Sequence, residues 1–229
     1  MNNKSTVVLA HGAWADGSSW AKVIETLAAE GFEVLAAPLP LSSFEADVAS
    51  VEQTLERTTA PAVLVGHAYA GAVVGAVRNE RVKSLVYVTA LAPDEGETVA
   101  EVFYHEPAHV SAPKLAPNAH GLIYLPNDAF ASAFAPNASA AEQAVLAAVQ
   151  RPISPACISV PMSRPRWHEL PSHFLVATQD VMILEATQRF MAKRMTARIR
   201  AHAVDHSPMV TAPAAVVEII REAACNIAA

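Results

Sequence analysis

One stretch near residue 65 limits the folds open to this chain more than any other. It begins with the apolar run Val63-Leu64-Val65, passes through small residues at 66–72, and continues as a second apolar segment to Arg78. A β-branched apolar run predicts a buried strand, and glycines directly after it predict a turn. The sequence therefore predicts a buried strand, a very tight turn and a packed helix over this stretch.

Strands and helices alternate on both sides of this stretch. Apolar runs at residues 6–10, 32–36 and 82–89 are separated by helical patterns. After a break, the alternation resumes with two further strands and two helices, at residues 174–177, 197–203, 184–194 and from 213 onwards. This spacing predicts βαβ units in an α/β fold, with a doubly wound, mainly parallel sheet of about six strands.

A proline-rich segment interrupts the alternation. Of the 16 prolines, 11 lie between Pro93 and Pro171. Such an insertion after a strand of an α/β sheet favours a cap over the carboxyl ends of the strands, where ligands bind. We therefore predict a single domain over residues 1–229, with a cap insertion at about 95–168.

The composition excludes several classes of function. The chain has 229 residues, of which 52% are hydrophobic and 17% are charged, so a large core can form. The net charge of −6 and the absence of a basic run disfavour nucleic acid as a partner. No apolar run approaches the roughly 20 residues that span a bilayer, and no signal-peptide pattern is present, so we expect a cytoplasmic protein without membrane contact.

The cysteines agree with that location. Cys157 and Cys225 are too few for a disulfide framework and fit a reducing compartment. Free thiols are commonly buried, so both side chains are expected in the core. The sequence leaves the oligomeric state open, a homodimer included.

Polar residues suited to acyl-transfer chemistry follow several of these strands. That chemistry uses a nucleophile, a histidine base, an acid that orients the histidine, and paired N–H donors for the oxyanion. Asp180 directly follows an apolar strand, and His206 follows the last strand. Residues 11–14, His-Gly-Ala-Trp, follow the first strand and form a turn suited to an oxyanion hole. Three of the four parts are thus present at strand ends.

The tight turn itself fits the fourth part, but without its reactive atom. A strand, a turn with glycines and a helix form the setting of the nucleophile elbow, G-x-S-x-G, and Ala68 stands at the serine position. In a true elbow Ala68 has φ above zero, which costs an L-residue roughly 1–3 kcal/mol. His67 is expected to pack beside this turn.

These motifs resemble the small α/β hydrolases that include hydroxynitrile lyases, plant methyl esterases of the salicylate-binding type and bacterial esterase-like proteins. The resemblance covers nearly the whole chain. It includes the family pattern His-Gly-Ala-x at residues 11–14 and Gly-His-Ser-x-Gly-Gly at residues 66–71, except at Ala68 and Ala70. In this resemblance Asp180 is the acid and His206 is the histidine of a catalytic triad.

The resemblance also implies the remaining site residues. The backbone N–H groups of Ala13 and Tyr69 match the oxyanion donors of the family. We expect aromatic side chains, several of them from the cap, to line an apolar pocket for a small-molecule substrate: Trp14, Phe103, Tyr104, Tyr124 and Trp167.

Three interpretations of Ala68 remain open. The chain is an inactivated carboxylesterase-like enzyme for a small apolar ester or carbonyl compound. Alternatively, it is a natural relative in which His206 and Asp180 act as a general-base dyad, as in a lyase. The third interpretation is a degenerate member that binds a small molecule without turnover. Loss of the nucleophile in a serine protease costs on the order of a million-fold in turnover, so poor ester hydrolysis is expected.

Other candidate residues are less suited to these roles. Ser18 and Ser207 lie near the expected site, but neither lies on a turn that would aim its hydroxyl as a nucleophile. The H-E-x-x-H match at residues 105–109 needs a helix to align its histidines, and Pro107 disfavours that helix by roughly 3 kcal/mol. We therefore predict no metal and no cofactor. Asp94 is the alternative acid if Asp180 lies away from the histidine.

Overall fold

The computed structural model describes residues 5–227. Six strands form one sheet with the order β2-β1-β3-β4-β5-β6, and all neighbouring strands are parallel. The strands are β1 (Thr6–Ala10), β2 (Glu33–Ala37), β3 (Ala62–His67), β4 (Val82–Val88), β5 (Ser172–Ala177) and β6 (Arg198–His202). The predicted α/β class, parallel sheet and strand number are confirmed.

Helices cover the sheet. They are α1 (Ala21–Ala29), α2 (Phe44–Glu56), α3 (Ala70–Ala76), α4 (Val99–Phe103), α5 (Ala140–Val149), α6 (Glu185–Arg194), α7 (Pro208–Thr211) and α8 (Pro213–Cys225). Helix α1 packs against α8, and α2 packs against α3. Every residue of β1, β3 and β5 is buried, which explains why the central residues of these strands are apolar without polar alternation.

The strand order fixes where a ligand can bind. Strand β1 lies between β2 and β3. The connection after β1 therefore leads to one side of β1, and the connection after β2 leads back to the other side. In open parallel sheets, a crevice forms at such a switch point, outside the carboxyl ends of the two strands concerned. Here those ends are Ala10 of β1 and His67 of β3, directly before the two predicted oxyanion donors.

The segment between β4 and β5, residues 89–171, is named the insertion below. It contains α4, α5, a π-helical turn at Phe130–Phe134 and short 3₁₀ helices at Pro155–Cys157 and Arg166–His168. Two isolated antiparallel bridges, Pro117 with Ile123 and Ile123 with Ile153, hold its central part together.

The prediction for one of the two cysteines was wrong. Cys157 is buried, as expected, but Cys225 is exposed. Cys225 lies at the end of α8, outside the buried stripe that includes Val216, Ile220 and Ala224. In residues 5–227 no helix combines the length and apolar character that a membrane crossing requires.

Candidate active site

The turn after β3 has the geometry of a nucleophile elbow. Ala68 has φ of +48°, which confirms the predicted left-handed conformation. A Cβ atom at Gly66 would lie 2.6 Å from the Ala70 carbonyl oxygen, and one at Gly71 would collide with the Leu91 carbonyl oxygen. The glycines therefore let the strand and helix close tightly enough to hold a strained alanine between them.

His206 and Asp180 form a buried pair beside this turn. The histidine Nδ1 lies 2.8 Å from the aspartate Oδ2, which confirms the predicted hydrogen bond, and both side chains are almost fully buried. The carboxylate also accepts the backbone N–H groups of Met182 and Ile183 on Oδ1, and Nε2 of Gln188 on Oδ2. A carboxylate that only accepts makes Nδ1 of His206 the donor, so Nε2 of the neutral ring is the free basic nitrogen.

The backbone of His206 is fixed as well as its ring. Its carbonyl oxygen accepts hydrogen bonds from Nε2 of His67 at 2.8 Å and from Oγ1 of Thr89 at 3.0 Å. Burial lowers the pKa of His67 well below its ordinary value, and the neighbouring His206 lowers it further. His67 therefore stays neutral and donates from Nε2, and its ring packs edge-on against Trp20 and Phe134.

The two predicted oxyanion donors border the same cavity. Ala13 and Tyr69 both line it, together with Ala68 and His206. Within residues 5–227, neither backbone N–H has an acceptor in the protein. A Cβ atom at Gly12 would lie 2.9 Å from the Ala68 Cβ, so the turn after β1 approaches the elbow as closely as a glycine allows.

The cavity has a volume of about 90 Å³, which holds several waters or a small ligand. Trp14, Phe103 and Tyr104 line it as predicted. The sequence missed the aliphatic part of the lining, which comes from both the insertion and the loops at strand ends: Leu91, Val99, Ala100, Leu115, Ile123, Ile153, Ile158, Met182 and Ile183.

Two predicted pocket residues do not line the cavity. Tyr124 is 47% exposed, because its neighbours Ile123 and Leu125 point inwards and side chains alternate along an extended segment. Trp167 is buried elsewhere, in a 3₁₀ helix that packs against α3, with its ring 3.9 Å from that of His168. Aromatic character alone did not separate pocket residues from surface or core residues.

The alternative candidates lie away from the cavity or are otherwise engaged. Asp94 pairs with His168 at 2.8 Å. The Ser207 hydroxyl donates to the Phe134 carbonyl, and the Ser18 hydroxyl donates to Asp16. Residues 105–109 follow the end of α4 as non-helical chain, so their two histidines share no helix face.

Sequence reasoning missed a buried carboxylate behind Tyr69. Asp47 of α2 is fully buried, and its Oδ2 accepts the Tyr69 hydroxyl at 2.7 Å. Its Oδ1 accepts the backbone N–H of Leu41 at 2.7 Å. Burial raises the pKa of Asp47, while these two hydrogen bonds oppose that change. One signal was available: Asp47 precedes Val51 by one helical turn on the apolar face of α2.

The fold agrees with the comparisons to known proteins. Residues 7–219 match the Alpha/beta hydrolase family, and the chain therefore belongs to that family. The resemblance drawn from the sequence motifs is confirmed. A comparison with the curated proteins found no match.

Several solved structures have the same architecture over almost the whole chain. Polyneuridine aldehyde esterase has a TM-score of 0.82 at 17% identity, with coverage of 96% of this chain and 98% of that protein. A pyrethroid hydrolase from Sphingobium faniae has a TM-score of 0.78 at 20% identity, with coverage of 95% and 96%. Tomato methylketone synthase I, a histidine-to-alanine variant complexed with β-ketoheptanoate, has a TM-score of 0.82 at 16% identity, with coverage of 96% and 97%. At such identities these similarities establish the fold alone.

Proposed function

We propose that this protein is an α/β-hydrolase-type enzyme that acts on a small, apolar ester or carbonyl compound without a covalent serine step. One observation supports this most: the His206–Asp180 pair and two unpaired N–H groups meet at one cavity, although Ala68 has no nucleophilic atom. A dyad so fully hydrogen-bonded suits an active base. In this proposal the insertion is the cap.

The dyad and the N–H groups are sufficient for a hydrolytic cycle through water. Nε2 of His206 takes a proton from water as the water oxygen bonds to the carbonyl carbon. The carbonyl electron pair moves to the oxygen, which the N–H groups of Ala13 and Tyr69 stabilise. Collapse of this intermediate breaks the bond to the leaving alkoxide, which takes the proton back from His206. Asp180 stabilises the transient imidazolium.

The cavity lining supports a neutral substrate. Among the described residues that border the cavity there is no Asp, Glu, Lys or Arg, and His206 is the one histidine. A charged group placed against this lining would lose its hydration without gaining an ion-pair partner, although the two N–H groups can accept a negatively charged oxygen. The descriptions of two structural neighbours, an aldehyde esterase and a pyrethroid hydrolase, agree with esters as the compounds to test first.

A second candidate is proton transfer at a carbon next to a carbonyl. The same two N–H groups can stabilise an enolate oxygen, and Nε2 of His206 can remove or return the proton on that carbon. The neighbour complexed with β-ketoheptanoate supports β-keto compounds as test substrates for this reaction. This route explains why a serine oxygen is dispensable.

The test compares this chain with Ala68→Ser, and with Ala68→Gly as the matched control. We expect the chain with Ala68, called the natural chain below whatever the origin of Ala68, to hydrolyse activated esters slowly, without an acyl-enzyme burst. Ala68→Ser should gain measurable esterase activity with a burst, because the elbow is already formed. Ala68→Gly relieves the strain but adds no oxygen, so it should gain none.

Substitution of the base separates an enzyme from a binding protein. His206→Ala should abolish any slow turnover of esters or β-keto compounds by the natural chain, because His206 is the one histidine among the described residues that line the cavity. If the natural chain binds such compounds but shows no turnover above that of His206→Ala, the binding interpretation replaces the enzymatic one. A burst with the natural chain would reveal a different nucleophile.

A further inference from the structure

We infer that residues 151–154 of the insertion form a brace that positions both N–H donors of the oxyanion site. This inference rests on the proposed function of that site. The brace contacts the two donor segments through separate sets of hydrogen bonds, one through Trp14 and one through Leu41 and Asp47. The cap of this protein is thereby a structural part of the catalytic site as well as a wall of its pocket.

The first set holds the turn that contains Ala13. The backbone N–H of Trp14, the next residue, donates to the Arg151 carbonyl at 3.0 Å. The indole Nε1 of Trp14 donates to the Ile123 carbonyl at 3.0 Å. Ile123 and Ile153 exchange two backbone hydrogen bonds, at 2.9 and 3.0 Å. Both bonds from Trp14 therefore end on the same small antiparallel pair.

The second set reaches Tyr69 through three hydrogen bonds, of which the two to Asp47 are buried. The backbone N–H of Ser154 donates to the Leu41 carbonyl at 2.9 Å. The N–H of Leu41 donates to Asp47 Oδ1 at 2.7 Å, and the Tyr69 hydroxyl donates to Asp47 Oδ2 at 2.7 Å. The side chain of the second donor residue is thus connected to the brace through Asp47 and Leu41.

The backbone geometry indicates that these bonds hold conformations that would otherwise relax. Trp14, Leu41 and Ala68 have φ of +58°, +57° and +48°, respectively, although none is glycine. Each such residue costs roughly 1–3 kcal/mol and persists only where the surroundings enforce it. Of the four strained non-glycine residues outside the elbow in residues 5–227, the brace bonds two directly, Trp14 and Leu41, while Thr89 and Thr196 lie elsewhere.

Positioning of this kind affects catalysis more than substrate binding. Oxyanion donors act on charge that develops in the transition state, and loss of one donor typically lowers turnover by about 10²–10³-fold. A displaced donor keeps part of that effect. We therefore expect loss of one brace contact to lower kcat roughly tenfold, with KM changed by less than about twofold.

Ser154 offers a matched pair of variants. Its φ of −76° suits proline, so Ser154→Pro removes the N–H that bonds Leu41 without imposing a new backbone angle. Ser154→Ala keeps that N–H and removes only the hydroxyl, which caps Ala156. A second pair is Asp47→Ala and Asp47→Asn, since the asparagine amide can still accept from Leu41 and donate to the Tyr69 oxygen.

The first measurement does not depend on activity. The ¹⁵N-labelled natural chain is titrated with butyrate, whose carboxylate can occupy the oxyanion site, and separately with 1-butanol. Butyrate should move the amide signals of Ala13 and Tyr69 downfield. Ser154→Pro should weaken butyrate binding at least about fivefold without affecting butanol, whereas Ser154→Ala should stay within about twofold of the natural chain. The same pair in the Ala68→Ser background gives kcat and KM for a p-nitrophenyl ester.

The outcomes separate this inference from the proposed function. Equal butyrate affinities for Ser154→Pro and Ser154→Ala overturn the brace, as does a natural chain whose two amides do not respond to butyrate. If the natural chain shows no turnover, but Ser154→Pro binds butyrate more weakly than Ser154→Ala does, the enzymatic proposal is refuted and the brace is supported. If Ser154→Pro fails to fold, Asp47→Ala against Asp47→Asn decides, and equal affinities there overturn the inference.

Discussion

Acidification should destabilise this protein through His67. In the folded state burial lowers the pKa of His67 well below its ordinary value, and the ring nitrogen Nδ1 is buried without a partner among the described residues. In the unfolded chain the same imidazole has a pKa of about 6.5. Below that pH the unfolded state binds a proton that the folded state excludes, so the free energy of unfolding falls as the pH falls.

The size of the effect follows from the width of that window. For a histidine that stays neutral in the folded state down to pH 5, about 1.5 pH units at about 1.36 kcal/mol each set an upper bound of about 2 kcal/mol on this loss. A protonated ring at this position would also lie next to His206, whose ring centroid is 4.9 Å away. Burial is the main factor that opposes protonation of His67, and the neighbouring His206 opposes it further.

The assay compares urea unfolding of the natural chain and His67→Gln from pH 8 to pH 5. The glutamine Nε2 can donate to the His206 carbonyl as the histidine does, but it does not titrate. The variant should therefore lose up to about 2 kcal/mol less stability over this range. Thr89→Ala is the control, because it removes the other hydrogen bond to that carbonyl and leaves the histidine in place. If natural and His67→Gln curves run parallel, the assignment of the pH dependence to His67 is wrong.

Further predictions concern packing, the acid and the thiols. In urea unfolding, Gly12→Ala should lower the free energy of unfolding by about 1–3 kcal/mol, while Gly17→Ala, whose Cβ would have its nearest contact at 3.4 Å, should change it little. Equal losses would contradict the close approach of Gly12 to Ala68. Asp180→Asn places an NH₂ group where Oδ2 accepts from His206 and Gln188, so it should abolish turnover and lower the free energy of unfolding by about 1–3 kcal/mol. An active variant would exclude the dyad. Ellman's reagent should react fast with the exposed Cys225 but not with the buried Cys157, because burial raises the pKa of the Cys157 thiol to about 12. Two fast-reacting thiols in the folded chain would refute this.

The elements that could be predicted are those whose signals are local. The run before Gly66 is apolar because β3 is buried on both faces, and the small residues after it permit one sharp turn. Asp180 and His206 lie three and four residues after the ends of β5 and β6, and parallel strands bring such positions to one edge of the sheet. Their hydrogen bond could therefore be predicted from the strand assignments together with the chain order of acid and histidine.

The features that escaped prediction depend on contacts between distant segments. Tyr124 and Trp167 have the composition of pocket residues, but the direction of their side chains depends on how the insertion folds over the sheet. Asp47 and Tyr69 are 22 residues apart and meet only when α2 packs against α3. No local pattern specifies these arrangements, although a carboxylate on an apolar helix face signals a buried partner.

The long insertion also has a consequence for synthesis of the chain. Strand β4 pairs with β3 on one side and with β5 on the other, but β5 follows only after residues 89–171. At about 5–20 residues per second, those roughly 80 residues keep the outer edge of β4 unpaired for about 4–16 s on the ribosome. An apolar edge left open for that time is a site for pairing between nascent chains. Slower translation should therefore lower the yield of folded protein, and chaperones that shield strand edges should raise it. Both effects should be smaller for variants with a shortened insertion.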